Sequence, residues 1–276
     1  MVLFGGLLND TSSFDGTSWT QVTVSNAPPA RQFASMATLG NKVVLFGGIG
    51  PYADTPTDTW TFDGTSWAQV PVSNFPPARS SASMATLGNE VVLFGGTTPS
   101  GPVNDTWTFD GTSWTQVTVS NAPPARQFAS MATLGNKVVL FGGIGLYADT
   151  PTDTWTFDGT SWTQLTVSNA PPARETAVMA TLGNEVVLFG GNTPSGPVND
   201  TWTFDGTSWT QLTVSSAPPA RHEAVMATLG NEIVLFGGVD DTPLNDTWTF
   251  DGTSWTQLSV SNSPPARVDA LMATLP

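Results

Sequence analysis

The chain has 276 residues, a net charge of −14, one His and no Cys. That charge disfavours nucleic acid and anionic membranes as partners, and the absence of Cys excludes disulfides, thiolate metal sites and cysteine nucleophiles. Hydrophobic residues make up 39% and eleven are Trp, enough for a core, yet no apolar run approaches the ~20 residues that span a bilayer.

In chain order, residues 2–6 (VLFGG) read as an apolar strand ending in a double glycine, so no signal peptide is expected here and the compartment stays open. A short loop, LLNDTSS, follows, and then an alternating segment from Trp19. Residues 33–39 (FASMATL) form the next expected strand, and Gly40-Asn41 is a two-residue turn. Residues 42–48 (KVVLFGG) are β-branched and end in a second double glycine. After the loop 49–58, residues 59–62 (TWTF) alternate at the strand period. Asp63-Gly64 starts a tight connection, residues 67–72 alternate again, and Pro76-Pro77 stops that strand because proline donates nothing to a ladder. No segment has a helical period.

The same series then recurs. The arginines of the PPAR segments stand at Arg31, Arg79, Arg126, Arg174, Arg221 and Arg267, 46 to 48 residues apart. A period of that size signals a solenoid, propeller or array, and four short antiparallel strands per repeat make a propeller blade. The chain opens on a second strand and closes on a first strand, residues 270–275, so pairing the two completes blade 1. The expectation is one all-β domain, a six-bladed β-propeller over 1–276. Its blades are 2–24 plus 268–276, 31–72, 79–119, 126–167, 174–214 and 221–260. Blade 1 is the weakest, because Ser12 stands where Trp60, Trp107, Trp155, Trp202 and Trp248 stand elsewhere. A buried Trp contributes up to about 4–6 kcal/mol of transfer energy.

The double glycines (Gly5-Gly6, Gly47-Gly48, Gly95-Gly96, Gly142-Gly143, Gly190-Gly191, Gly237-Gly238) and the downstream Trp19, Trp67, Trp114, Trp162, Trp209 and Trp255 resemble the kelch family along essentially the whole chain. The resemblance implies a propeller. It leaves activity open, since kelch propellers include interaction modules and sugar oxidases. A copper oxidase needs a Cys-linked Tyr and more than one His, and this chain has no Cys and a single His.

Strand alternation places the PPAR segments and the long variable loops on one face, and the LGN and DGTS turns on the other. Binding is expected on the variable face. The two positions after each arginine differ most: Gln32-Phe33, Ser80-Ser81, Gln127-Phe128, Glu175-Thr176, His222-Glu223 and Val268-Asp269. Glu175, His222, Glu223 and Asp269 suggest an acidic crescent at the channel mouth for a cation or a hydroxyl-rich ligand. The plainer alternative is solvated variation at strand entrances. Gln32, Phe33, Gln127 and Phe128 face them as a neutral and aromatic half. Tyr52 and Tyr147, in the long loops, are candidate rim contacts. The six arginines read as structural, each pairing with a neighbouring blade's Asp or carbonyls or stacking on a Trp; a cationic ring for anions is the alternative. The repeated Asp of NDT or TDT (Asp10, Asp58, Asp105, Asp153, Asp200, Asp246) reads as a turn cap.

No metal site, cofactor or catalytic group is expected. The leading reading is a non-enzymatic, monomeric binding scaffold for a protein, peptide or glycan on the variable face, with no nucleic-acid or membrane partner. A sugar- or cation-binding kelch protein is one alternative. Another is an engineered or recently amplified propeller with no evolved ligand, because residues 31–50 and 126–145 are the same string.

Overall fold

The computed structural model describes residues 1–275 and is all-β. Six four-stranded antiparallel sheets stand as the blades of a propeller. Blade 2 is representative. Its strands from the channel outward are Ser35–Leu39, Lys42–Phe46, Thr59–Phe62 and Trp67–Val70. The 4-residue strand Thr59–Phe62 occupies the range that alternation predicts. The first, second and fourth strands are shorter than expected, and the fourth ends at Val70 rather than at residue 72. Gly47 and Gly48 leave the ladder at φ +71° and +96°, and Phe33 opposite them turns left-handed at φ 54°. A Cβ at Gly47 would lie 2.6 Å from the Arg79 carbonyl oxygen, and one at Gly48 would lie 2.7 Å from that of Gln32. Only glycine fits both the dihedrals and the space.

Blade 1 closes the ring. Its inner strand, Ala270–Ala273, pairs antiparallel with Val2–Gly5, in the register Val2↔Ala273 to Gly5↔Ala270. Thr11–Phe14 and Trp19–Val22 complete the sheet. Pro276, which the expected blade range includes, lies outside the described residues.

The core sits between blades. Alternation along Lys42–Phe46 sends Val43 and Leu45 into a cluster with Val2 and Phe4 of blade 1, while Val44 and Phe46 join Val91 and Leu93 of blade 3. Each sheet is therefore buried on both faces, and its second strand is an unbroken apolar run. The outer-strand tryptophans stitch neighbours together. Trp67 Nε1 donates to Thr11 Oγ1 of blade 1 at 2.9 Å, and its ring lies 5.1 Å from that of Phe4. The same pair of contacts recurs at every interface, ending with Trp19 on Thr247 and Phe236 at the seam. On the inner strands, six threonine hydroxyls donate to the carbonyl of the adjacent blade's threonine at 2.5–2.6 Å. The circle of Thr38, Thr274, Thr228, Thr181, Thr133 and Thr86 is complete.

The DGTS turns are self-contained. Asp63 Oδ1 accepts the backbone N–H groups of Thr65 and Ser66 at 2.9 and 2.8 Å. The hydrogen bond from the Thr65 hydroxyl, together with these two, holds its carboxyl below the usual range.

Removing residues 268–276 deletes the inner strand of blade 1 and, with Thr274, two hydrogen bonds of the threonine circle, and bares the edge of Val2–Gly5. The truncated chain is expected to melt at least 10 °C lower and to form strand-exchanged oligomers. Light scattering after size exclusion, with a thermal melt, checks this. A monomer with an unchanged melting temperature contradicts it.

Candidate binding site at the channel mouth

The site is built on the arginine loops. Each PPAR arginine is no more than 3% exposed. Arg31 donates Nε–H to the Pro29 carbonyl at 3.2 Å and Nη1–H to the Gly47 carbonyl at 3.1 Å. Its Nη1 and Nη2 also bind Asp58 Oδ1 and Oδ2 at 2.7 and 3.0 Å. The other five repeat this pattern, and Arg267 reaches Asp10 and the Gly5 carbonyl across the seam. The partner Asp belongs to the same blade as the arginine, not to a neighbour. The reason is topological: first and third strands of a blade start on the same face, so their entrances converge. Buried and paired guanidinium groups form no open cationic ring.

This geometry also corrects the reading of the repeated Asp as a turn cap. Asp58 Oδ2 takes the Trp60 indole N–H at 2.6 Å in addition to its arginine bonds. Burial pushes the Asp58 carboxyl up, but the hydrogen bonds from Arg31 and Trp60 and the Arg31 charge outweigh it and leave it below its ordinary value. Asp105, Asp153, Asp200 and Asp246 follow the same balance.

Beyond the arginine, the chain is pinned and then turned. Gln32 exchanges backbone hydrogen bonds with Ile49, at 3.0 and 2.8 Å, on the continuation of the second strand. The next residue is left-handed in all six blades: Phe33, Ser81, Phe128, Thr176, Glu223 and Asp269 have φ between 51° and 57°. None is glycine. A left-handed side-chain-bearing residue costs about 1 kcal/mol or more. The turn is coupled to the neighbouring blade: Ser81 N–H donates to the Phe33 carbonyl at 2.8 Å and Phe128 N–H to that of Ser81 at 3.0 Å. Thr176 and Glu223 continue the chain of bonds at 3.2 Å each.

These six left-handed residues line a cavity of about 190 Å³ at the mouth of the channel. Phe33 and Phe128 meet edge to face, centroids 5.6 Å apart, across the small Ser81. Glu223 and Asp269 occupy the other side with Thr176. The crescent read from sequence is therefore split. Glu223 and Asp269 face the cavity, whereas Glu175 and His222 stand one residue back, bridged to Asn192 and Val239. Asn192 Nδ2 donates to Glu175 Oε1 at 3.4 Å, and His222 Nδ1 lies 3.4 Å from Glu223 Oε1. Gln32 and Gln127 sit at the same outer position, and Gln127 Oε1 accepts the Thr97 hydroxyl. Tyr52 and Tyr147, 93% and 88% exposed, stand out in the long loops and do not line the cavity. Among the described residues no three His, Cys, Asp or Glu side chains converge as a metal site.

Sequence reasoning missed the backbone. Six successive post-arginine pairs opposite a double glycine are the signal that both strands kink together, and it lies in the pairing rather than in either segment. A wider groove of about 470 Å³ opens on the opposite face between blades 2 and 3. It is walled by the nearly invariant turns, with Ala68 where the other five blades have Thr.

Asp269 is the perturbed group of the mouth. Burial, reinforced by the charge of Glu223, pushes its carboxyl up to about 7.

The chain matches the KLHDC2/KLHL20/DRC7 Kelch-repeats domain family twice, over residues 1–143 and over 109–275. No match is found among curated proteins.

Two outcomes follow for stability. Arg79→Met strands Asp105 in a half-buried site and is expected to cost about 3–5 kcal/mol, much of which the double variant Arg79→Met/Asp105→Leu recovers. Denaturant melts of the two variants measure this, and equal stability of the single and double variants contradicts it. Asp269 has an unfolded value near 3.8 and a folded value of about 7, so the native state holds its proton more tightly and stability falls as pH rises from about 4 through 7. Asp269→Asn is expected to match the wild type near pH 4 and to exceed it by about 1–2 kcal/mol at pH 8, after allowance for solvent screening. Parallel pH–stability profiles for the two proteins contradict that assignment.

Proposed function

This chain belongs to the Kelch-repeat family, and from that membership we propose that it is a non-enzymatic binding module whose ligand enters the channel mouth on the arginine-loop face. The observation that carries the reading is the ring of six left-handed residues. The scaffold holds their backbones alike at a cost in strain, while the side chains they present differ from blade to blade.

The ligand class follows from the lining. Phe33 and Phe128 offer an apolar aromatic edge, and Glu223 and Asp269 offer carboxyl groups opposite it. A lysine or arginine side chain of a protein or peptide suits both halves: its stem lies along the aromatics and its cationic head reaches the carboxyls. The net charge of −14 steers basic partners toward the protein. Glu175 and His222 extend the polar side outward, and Tyr52 and Tyr147 are available as outer contacts.

A second reading rests on repeat identity. Residues 31–50 recur unchanged at 126–145, as expected of a freshly amplified or constructed propeller with no evolved ligand. Thermal-shift screening against lysine- and arginine-bearing peptides, glycans and divalent ions separates the two, because silence across the panel favours the second.

The test of the site is the triple variant Glu175→Ser, Glu223→Ser, Asp269→Ser, which carries the side chain found at Ser80 and Ser81. Binding of a basic peptide is expected to weaken at least tenfold, about 1.4 kcal/mol, with the fold retained. Full retention of affinity, or a ligand mapped to the DGTS face, places function on another surface.

A further inference from the structure

We infer that blade 1 carries a binding site for an indole ring, at the place where the other five blades hold a tryptophan of their own. The second residue of the third strand is Trp60, Trp107, Trp155, Trp202 or Trp248 in blades 2 to 6, each 5–8% exposed. Every one of these indoles donates its N–H to Oδ2 of the aspartate two residues earlier, at 2.6–2.7 Å. The chain thus displays five worked examples of how this scaffold holds an indole.

In blade 1 the residue is Ser12, in unchanged register. Ser12 faces Leu3 and Gln21 just as Trp60 faces Leu45 and Gln69. Asp10 keeps its two bonds from Arg267, at 2.8 and 2.9 Å, and among the described residues no indole N–H joins them. A cavity of about 380 Å³ lies there, walled by Asp10, Ser12, Trp19, Ser263, Pro264 and Pro265. Of these, Asp10, Trp19 and Ser263 are the counterparts of Asp58, which accepts from Trp60, and of Trp67 and Ala27, which share its apolar cluster.

The site therefore joins two independent features. Its walls are those that pack a bicyclic aromatic elsewhere in the molecule. Ser12, Thr20, Gln21, Asn262 and Ser263 also line it, but its charged group is the Asp10 carboxylate, clamped by Arg267 with lone-pair capacity left for an N–H donor. The matching ligand is neutral, planar and aromatic and carries one N–H: an indole. Free indole and the side chain of a tryptophan in a peptide share that chemistry. The site lies beneath the loop that leads into Arg267, on the outer part of the blade, and is separate from the channel mouth.

The test titrates the full chain with indole, 1-methylindole and N-acetyltryptophanamide, followed by calorimetry and by NMR shifts at Trp19 and Ser263. One indole is expected to bind, and 1-methylindole, which has no N–H for Asp10, at least tenfold more weakly. Binding of N-acetyltryptophanamide as well supports the site with a peptide side chain as its source, and binding of indole alone supports it with the free heterocycle. Ser12→Trp is expected to abolish binding and to raise the melting temperature by several degrees. If that variant fails to fold, Trp60→Ser opens the same site in blade 2 and is expected to raise the stoichiometry from one to two. No indole binding by the wild type, equal affinity for 1-methylindole, unchanged binding in folded Ser12→Trp, or a stoichiometry of one in folded Trp60→Ser overturns the proposal.

Discussion

The buried arginine–aspartate pair is the constraint on which the rest of each blade depends. A guanidinium no more than 3% exposed must be matched by acceptors on nearly every N–H. In blade 2 the acceptors come from three segments: the Pro29 carbonyl of the incoming loop, the Gly47 carbonyl at the end of the second strand, and Asp58 at the start of the third. Satisfying one side chain therefore draws three loop ends together on one face. Gly47 adopts positive φ with only 2.6 Å between its Cβ direction and the Arg79 carbonyl, so the next blade's arginine loop packs directly onto it. Blade 1 makes the same contacts between Arg267 and Asp10, so the ends of the chain are joined by an ion pair as well as by a ladder.

Blade-to-blade cohesion rests on circles of identical contacts. The threonine hydroxyls on the inner strands and the tryptophan N–H groups on the outer strands each return to their starting blade. Apart from Phe33 of blade 2 meeting Phe128 of blade 4 at the mouth, each blade packs on its two neighbours, so stability is close to a sum of equal interface terms, as in other repeat proteins. Such a molecule tolerates one weakened unit, and Ser12 in place of a tryptophan is that unit. Asp10 and Arg267 still pair without the indole.

Uniform scaffolding leaves asymmetry to a few side chains. Ser35, Ser83 and Ser130 donate to the carbonyl of the next blade, at 2.7–2.8 Å, along one half of the channel. Val178, Val225 and Leu271 take that position along the other half. The serine half bears Phe33 and Phe128 at the mouth, and the aliphatic half bears Thr176, Glu223 and Asp269. Two carboxyls over an apolar wall explain why Asp269 holds its proton near neutrality.

The amino-acid sequence by itself determines the fold, because period, strand alternation and double glycines are local signals that recur six times. The pairing of Val2–Gly5 with Ala270–Ala273 is legible as well, because residues 2–6 and 270–275 repeat the second- and first-strand strings of the other blades. The split of the crescent, with Glu223 and Asp269 in the cavity and Glu175 and His222 behind it, belongs to the tertiary structure. Adjacent residues of a strand point to opposite sides only while the strand stays regular, and here a left-handed residue follows a bridged one. That kink is imposed by the double glycine on the partner strand, which no reading of the post-arginine segment alone contains. The role of the repeated Asp is likewise a tertiary fact: Asp58 meets Arg31 across 27 residues of sequence because two strand entrances share a face.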